Sequence, residues 1–245
     1  MVLGLISAGF LLSTVEQPLD TALSRTEPPI SLRAAFVVEM TDGEAFREIR
    51  YDPRLAQDQW VVTVAEGQSR ELDKAVQEWG NDDSPDGWLF ADDLRASMGR
   101  LVEAEDTGLA WQIQFQHQIS ENDGPLDKWA ANHLIGIAWL EPVNGYFLRI
   151  DYESYEPFSG PGGLQVDSYN HHYLIRQEPE YGFSYIWAFK VDMHGQFQGS
   201  PIDRAYRVQV TDVEFFFATP GEEARYQSQR LSQNTGDYPR LVSAN

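Results

Sequence analysis

The sequence predicts a mainly β fold with a helical insert, an α+β arrangement in which a curved antiparallel sheet or half-barrel is covered by two short helices. Three observations carry this expectation. The stretch from Leu134 to Met193 reads as four successive strands, Leu134 to Leu140, Tyr146 to Glu153, Val166 to Arg176 and Phe183 to Met193. In the last, Phe183, Tyr185, Trp187, Phe189, Val191 and Met193 fall on one face and Ser184, Lys190, Asp192 and His194 on the other, interrupted by Ile186 and Ala188; such alternation marks a strand with one buried face. Between residues 69 and 104 the apolar period changes from two to that of a helix. Asp42-Gly43 and Asn144-Gly145 are dipeptides favoured in tight type I′ hairpin turns, where both positions need positive φ.

Taken in order, the chain opens on Val2 to Leu12, an uncharged apolar run of about signal-peptide length and too short to span a bilayer. Ala22 and Ser24 form an A-x-S site before Arg25, so residues 1–24 are expected to be a cleaved export signal, the alternative being an amphipathic or buried N-terminal segment. The Pro-containing lead-in Thr26 to Ile30 places the start of a single domain, 31–218, near Ser31. Leu32 to Met40 and Ala45 to Tyr51 form the first hairpin, and Trp60 to Val64 follows after Pro53 ends the second strand.

Leu72, Ala75, Val76 and Trp79 then stand at helical spacing behind an N-cap at Ser69, with Gly80 at the C-terminal end. Leu94, Met98, Leu101 and Val102 repeat that spacing behind Asp92 and Asp93, which predicts a second helix. Strands resume at Trp111 to Ile119, where every odd position is apolar or His117 and the even positions are glutamine. Tyr146, Leu148, Ile150 and Tyr152 are expected on one face of their strand, opposite Phe147, Arg149, Asp151 and Glu153. A last strand runs from Tyr206 to Phe217, and residues 222–245 read as a polar, partly disordered tail.

Composition narrows the function. The net charge of −20 argues against nucleic acid or an anionic membrane surface as partner, and equally serves solubility. Without cysteine there is no disulfide, thiolate metal site or Cys nucleophile. No G-x-S-x-G, S-x-x-K or phosphate-cradling glycine motif is present. His171 and His172 are adjacent on a strand and point to opposite faces, so they cannot chelate one ion together. Asp151 and Glu153 share a face, as acid–base carboxylates must, yet exposed acids are expected throughout a chain with 38 of them.

Two candidate sites remain. Asp82, Ser84, Asp86, Trp88 and Asp93 have the spacing of a calcium loop, with Gly87 at its turn. Against calcium stand Asp93 in place of a longer bidentate Glu, the stiffening Pro85 and the polar residues before the loop; a solvated acidic turn is the competing reading, with no cofactor expected. The second site is the aromatic face itself: Phe36, Trp111, Phe115, Leu148, Ile150, Trp187, Phe189 and Phe215 would line a concave surface if the strands curl. Either the helices close that face as a core, or it encloses an apolar cavity.

The order of elements resembles the bacterial periplasmic lipoprotein carriers, the LolA/LolB-like half-barrels. The likeness spans roughly Ser31 to Phe217: an exported domain, an early hairpin beginning Phe36-Val37-Val38-Glu39-Met40, a helical insert, and antiparallel strands ending in Tyr206 to Phe216 (YRVQVTDVEFF). It implies an unclosed barrel under helices that holds acyl chains and passes them on without chemistry. The family's lid-holding arginine has no single counterpart, Arg33, Arg47, Arg50 and Arg149 being equal candidates. The expected function is therefore non-catalytic binding of an apolar small molecule or lipid in the bacterial envelope, by a protein that is not integral to the membrane. An envelope interaction protein with a filled core, and a hydrolase without a recognisable motif, are the alternatives.

Overall fold

The computed structural model describes residue 16, residues 18–120 and residues 125–236. Ten strands form one continuous antiparallel path: β3 (Trp60–Glu66), β2 (Phe46–Tyr51), β1 (Leu32–Thr41), β11 (Ser200–Phe217), β10 (Phe183–Phe197), β9 (Leu164–Glu178), β7 (Phe147–Ser154), β6 (Leu134–Leu140), β5 (Trp111–His117) and β4 (Met98–Asp106). The short β8 (Phe158–Ser159) pairs with β9, completing 11 strands. The sheet does not close, since β3 and β4 each have one neighbour; the expected curved antiparallel sheet with short helices is the architecture the chain adopts.

Both predicted hairpins form, but neither turn is type I′. Gly43 has φ +97 and Gly145 φ +60, whereas Asp42 and Asn144 stay out of the left-handed region. Each loop is longer than two residues because a carboxylate organises it. Asp42 Oδ1 accepts from the amides of Glu44 and Ala45 at 3.0 and 2.8 Å, and Glu141 accepts from Val143 and Asn144.

The first predicted helix is α2 (Arg70–Gly80), capped by Ser69 Oγ on the Leu72 amide and burying Leu72, Ala75, Val76 and Trp79. The second shrinks to α3 (Leu94–Ser97), after which Met98 onward becomes β4. Gly99 approaches β5 so closely that a Cβ would meet the Gln116 carbonyl oxygen at 2.7 Å. A helix there would leave β5 an unpaired edge, so ladder hydrogen bonds win over local periodicity. A further short helix, α4 (Pro125–Ala130), precedes β6.

Helices stand near both termini of the described chain. Residues 18–24 form a helix, α1, whose Leu19, Ala22 and Leu23 are buried in the main core. The Ser184 amide donates to the Arg25 carbonyl at 2.6 Å just beyond it. Cleavage after Ser24 would strip three side chains from that core; the apolar run Val2 to Leu12 lies outside the described residues. At the other end, Pro220–Gly236 is a helix, α5, which takes in the first part of the expected partly disordered tail; residues 237–245 of that tail lie outside the described residues. Thr219 and Glu222 cap it reciprocally, the Thr219 amide donating to Glu222 Oε2 at 2.9 Å and the Glu222 amide reaching Thr219 Oγ1 at 3.4 Å. Tyr226 docks it, its ring 5.4 Å from Phe217 and its hydroxyl donating to the Tyr181 carbonyl at 2.6 Å. No helix among the described residues is long and apolar enough to cross a membrane.

The core has two parts. Over β1–β3, α2 closes the sheet with an aromatic stack in which Trp79 lies 5.6 Å from Phe36 and 5.4 Å from Trp60. A smaller cluster of Ala130, Leu134, Phe158, Leu164 and Val166 packs at the far end of β6 and β9. Residues of both clusters face a space left between the sheet and residues 85–97.

Candidate functional site: a tyrosine-lined cavity

The cavity follows from a split in the sheet. β10 and β11 are paired from Ala188↔Gln209 to Phe197↔Ser200, while β11 continues along β1 as far as Phe217. The first residues of β10 therefore part from β11, and Phe90 enters the gap: it forms a backbone bridge with Tyr185, and its ring lies 5.8 Å from Phe183 and 6.1 Å from Phe215. Phe90 belongs to a segment, residues 85–97, that begins in a 3-10 turn (Pro85–Leu89) and forms one wall of the space beneath it.

Asp86 anchors that wall. Its carboxylate, 2% exposed, accepts from Arg33 Nε at 2.6 Å and from a terminal guanidinium nitrogen at 3.0 Å, and takes the Ala34 amide at 3.1 Å. The paired carboxylate holds the Arg33 guanidinium more firmly charged than usual. Trp79 Nε1 donates to the Pro85 carbonyl at 2.8 Å, and Trp88 stacks on Trp79 at 5.2 Å. The wall is thus tied to β1 by charge and to α2 by aromatic packing.

The enclosed volume is about 570 Å³, within the range of small-molecule sites, and it is partly open to solvent. Trp88, Phe90, Ala91 and Leu94 line it from the wall, and Ile150, Ile175, Ile186, Phe189 and Val191 from the sheet. Its character changes along the strands. Past Val191, the lining becomes Tyr152, Tyr169, His171, Met193, Arg204 and Tyr206, with Tyr173 beside Phe189.

His171 sits at the centre of the polar end. Its Nδ1 lies 3.0 Å from the Tyr173 hydroxyl and 3.3 Å from that of Tyr169, and Ser97 Oγ lies 3.3 Å from the Tyr152 hydroxyl. Protein surrounds the imidazole, yet part of its surface stays accessible because it faces the cavity. Burial, aided by the positive charges of Arg204 and His172, pushes it down to about 4. Between pH 6.5 and 4 the unfolded chain therefore binds a proton that the folded chain does not, so stability is lost as pH falls through that window. The loss attributable to His171 is up to about 3 kcal/mol. Denaturant titrations at pH 7 and pH 4 should show wild type losing that much more than His171→Gln.

The structure places the eight sequence-predicted aromatic-face residues in four environments. Ile150 and Phe189 line the cavity. Phe36 and Phe115 are buried in closed core, Phe115 lying flat on Gly136, where a Cβ would meet its ring at 2.0 Å. Trp111 and Phe215 pack at the margin of that core, away from the cavity. Leu148 and Trp187 point the other way because of β-bulges. Leu148 is the extra residue between the pairs Leu140↔Phe147 and Trp139↔Arg149, which turns Phe147 inward and leaves Leu148 36% exposed. Trp187 is the extra residue between Ile186↔Ile175 and Ala188↔Leu174; it carries Arg176 3.8 Å over its ring on the outer face.

The calcium-loop oxygens do not converge. Asp86 turns inward to Arg33, Asp82 accepts from the Ser84 amide and Trp88 Nε1, and Asp93 accepts from Ser120 Oγ. Trp88, placed in that loop by its spacing, lines the cavity instead. Among the described residues one metal-ligand cluster does form, Asp151, Glu153 and His172, on the outer face. There Arg149 Nε already holds Asp151 Oδ1 at 2.6 Å, and His172 Nδ1 lies 2.8 Å from the same oxygen. The residues that sequence reasoning missed, Tyr169, His171 and Tyr173, had a signal: they alternate along one strand.

No family model and no curated protein matches the chain in sequence. Among solved structures, it is similar to a domain from Vibrio parahaemolyticus described as a candidate outer membrane lipoprotein-sorting protein, with 10% identity, a TM-score of 0.36, and 89% of this chain and 99% of that one covered. It is also similar to a LolA superfamily protein from Nitrosomonas europaea, with 8% identity, a TM-score of 0.37, and 85% and 96% covered.

Proposed function

We propose that the chain binds an apolar small molecule, an acyl chain or lipid, in the cavity beneath residues 85–97 and carries it without chemistry in the bacterial envelope. One observation carries the reading: about 570 Å³ of mostly apolar space lies between two otherwise well-packed core regions. Cores pack to near-crystalline density, so space on this scale is kept for an occupant. The apolar run Val2 to Leu12 supports an exported setting.

The test is binding of an acyl-chain probe such as cis-parinaric acid, with native mass spectrometry of the purified chain for bound lipid. Ile150→Trp, which places an indole in the cavity, should weaken binding by about tenfold or more while the circular dichroism spectrum is retained. Trp111→Ala and Trp187→Ala should leave affinity unchanged. Wild type that binds no chain of any length would overturn the reading.

A further inference from the structure

The two ends of the cavity differ in chemistry in a way that an acyl chain alone does not require. On the cavity side of the sheet, Tyr169 and Arg204 flank Met193 on one rung, and His171 and Tyr206 flank Val191 on the next. At the opposite end stand Ile175, paired with Ile186, and the wedge residue Phe90. The span from Met193 to Ile186 is roughly 20 Å at the rise of an extended strand.

From this polarity, and resting on the binding function proposed above, we infer that the ligand is an anionic amphiphile: a chain ending in a carboxylate, whose head group meets Arg204 and the tyrosine hydroxyls while its tail runs toward Ile186 and Phe90. Arg204 is the only Arg or Lys among the described lining residues. Its guanidinium offers five donors, and one terminal nitrogen is engaged by Glu78 of α2, itself half exposed. A ligand carboxylate can join or replace Glu78 there, in the fork geometry that suits a guanidinium. The neighbouring imidazole is neutral, so it meets the head group as a hydrogen-bonding partner, and the positive potential of Arg204 that helps keep it neutral also favours an anion. The lining carboxylate Asp93 belongs to the wall segment, where Ser120 Oγ donates to it.

The experiment compares palmitate with hexadecanol, equal in chain length and differing in charge, by isothermal titration against the full chain. Wild type should bind palmitate ~10- to 100-fold more tightly, the range of a hydrogen bond to a charged group. Arg204→Gln should lower palmitate affinity to about that of hexadecanol and so erase the preference. Glu78→Gln, which removes the competing carboxylate without touching the cavity lining, should tighten palmitate and leave hexadecanol unchanged, and it serves if Arg204→Gln fails to fold. Equal affinities in wild type would overturn the anionic head group while the apolar-binding reading stands. Binding of neither probe would overturn both.

Discussion

Replacing Trp79 by alanine is expected to destabilise the protein by about 4 kcal/mol, in line with the 3–5 kcal/mol typical of buried Trp or Phe truncations. Trp79 is 1% exposed and lies within 6 Å of four aromatic rings, those of Phe36, Trp60, Trp88 and Phe189. Trp79 thus joins the closed core over β1–β3 to both the wall and the cavity floor. Truncation also leaves the buried Pro85 carbonyl without its indole donor. For a chain of this size the melting temperature should fall by roughly 10 °C or more. Trp187→Ala is the control: its indole lies outside, against Arg176, and its loss should cost at most about 1 kcal/mol. Near-equal melting temperatures for the two variants would contradict this division into core and outer face.

Asp86→Ala should cost about 3 kcal/mol. Removing one partner of a fully buried ion pair typically costs 3–5 kcal/mol. Arg33 keeps 35% of its side chain exposed and can turn to water, which lowers that part of the loss. The Ala34 amide has no such escape: it is fully buried, and Asp86 Oδ2 is its acceptor. Asp86→Asn retains an acceptor for that amide and loses only the charge, so it should cost about half as much. Hydrogen exchange offers the sharper readout. In Asp86→Ala, amides of residues 85–97 should exchange faster by a larger factor than those of β9, because the anchor holds the wall and not the sheet. Uniform acceleration along the chain would instead make the pair a general stabiliser.

Strands were legible in the sequence wherever alternation reported one-sided burial, as in β5 with its glutamine face. The bulges were not. Phe147-Leu148 and Ile186-Trp187 are adjacent apolar pairs, so a one-residue change of phase left no mark on the pattern, and it moved Leu148 and Trp187 to the outer face. The C-terminal helix did carry a mark, the Thr219-Pro220-Gly221-Glu222 capping sequence, hidden beneath a polar composition. The cavity itself was illegible because it depends on pairings distant in the chain: Asp86 with Arg33, 53 residues apart, and Phe90 with Tyr185. Local periodicity bears on neither.

In a closed barrel, bore follows from strand number and stagger, so a different guest demands a different ladder. Here Phe90 stands where β10 parts from β11, and the ladder from Ala188 to Phe197 lies beyond it. A smaller or larger residue at that single position would resize the chamber while the scaffold stays as it is. Chamber size and structural integrity are thereby separable traits, and drift at that position could shift the first without endangering the second.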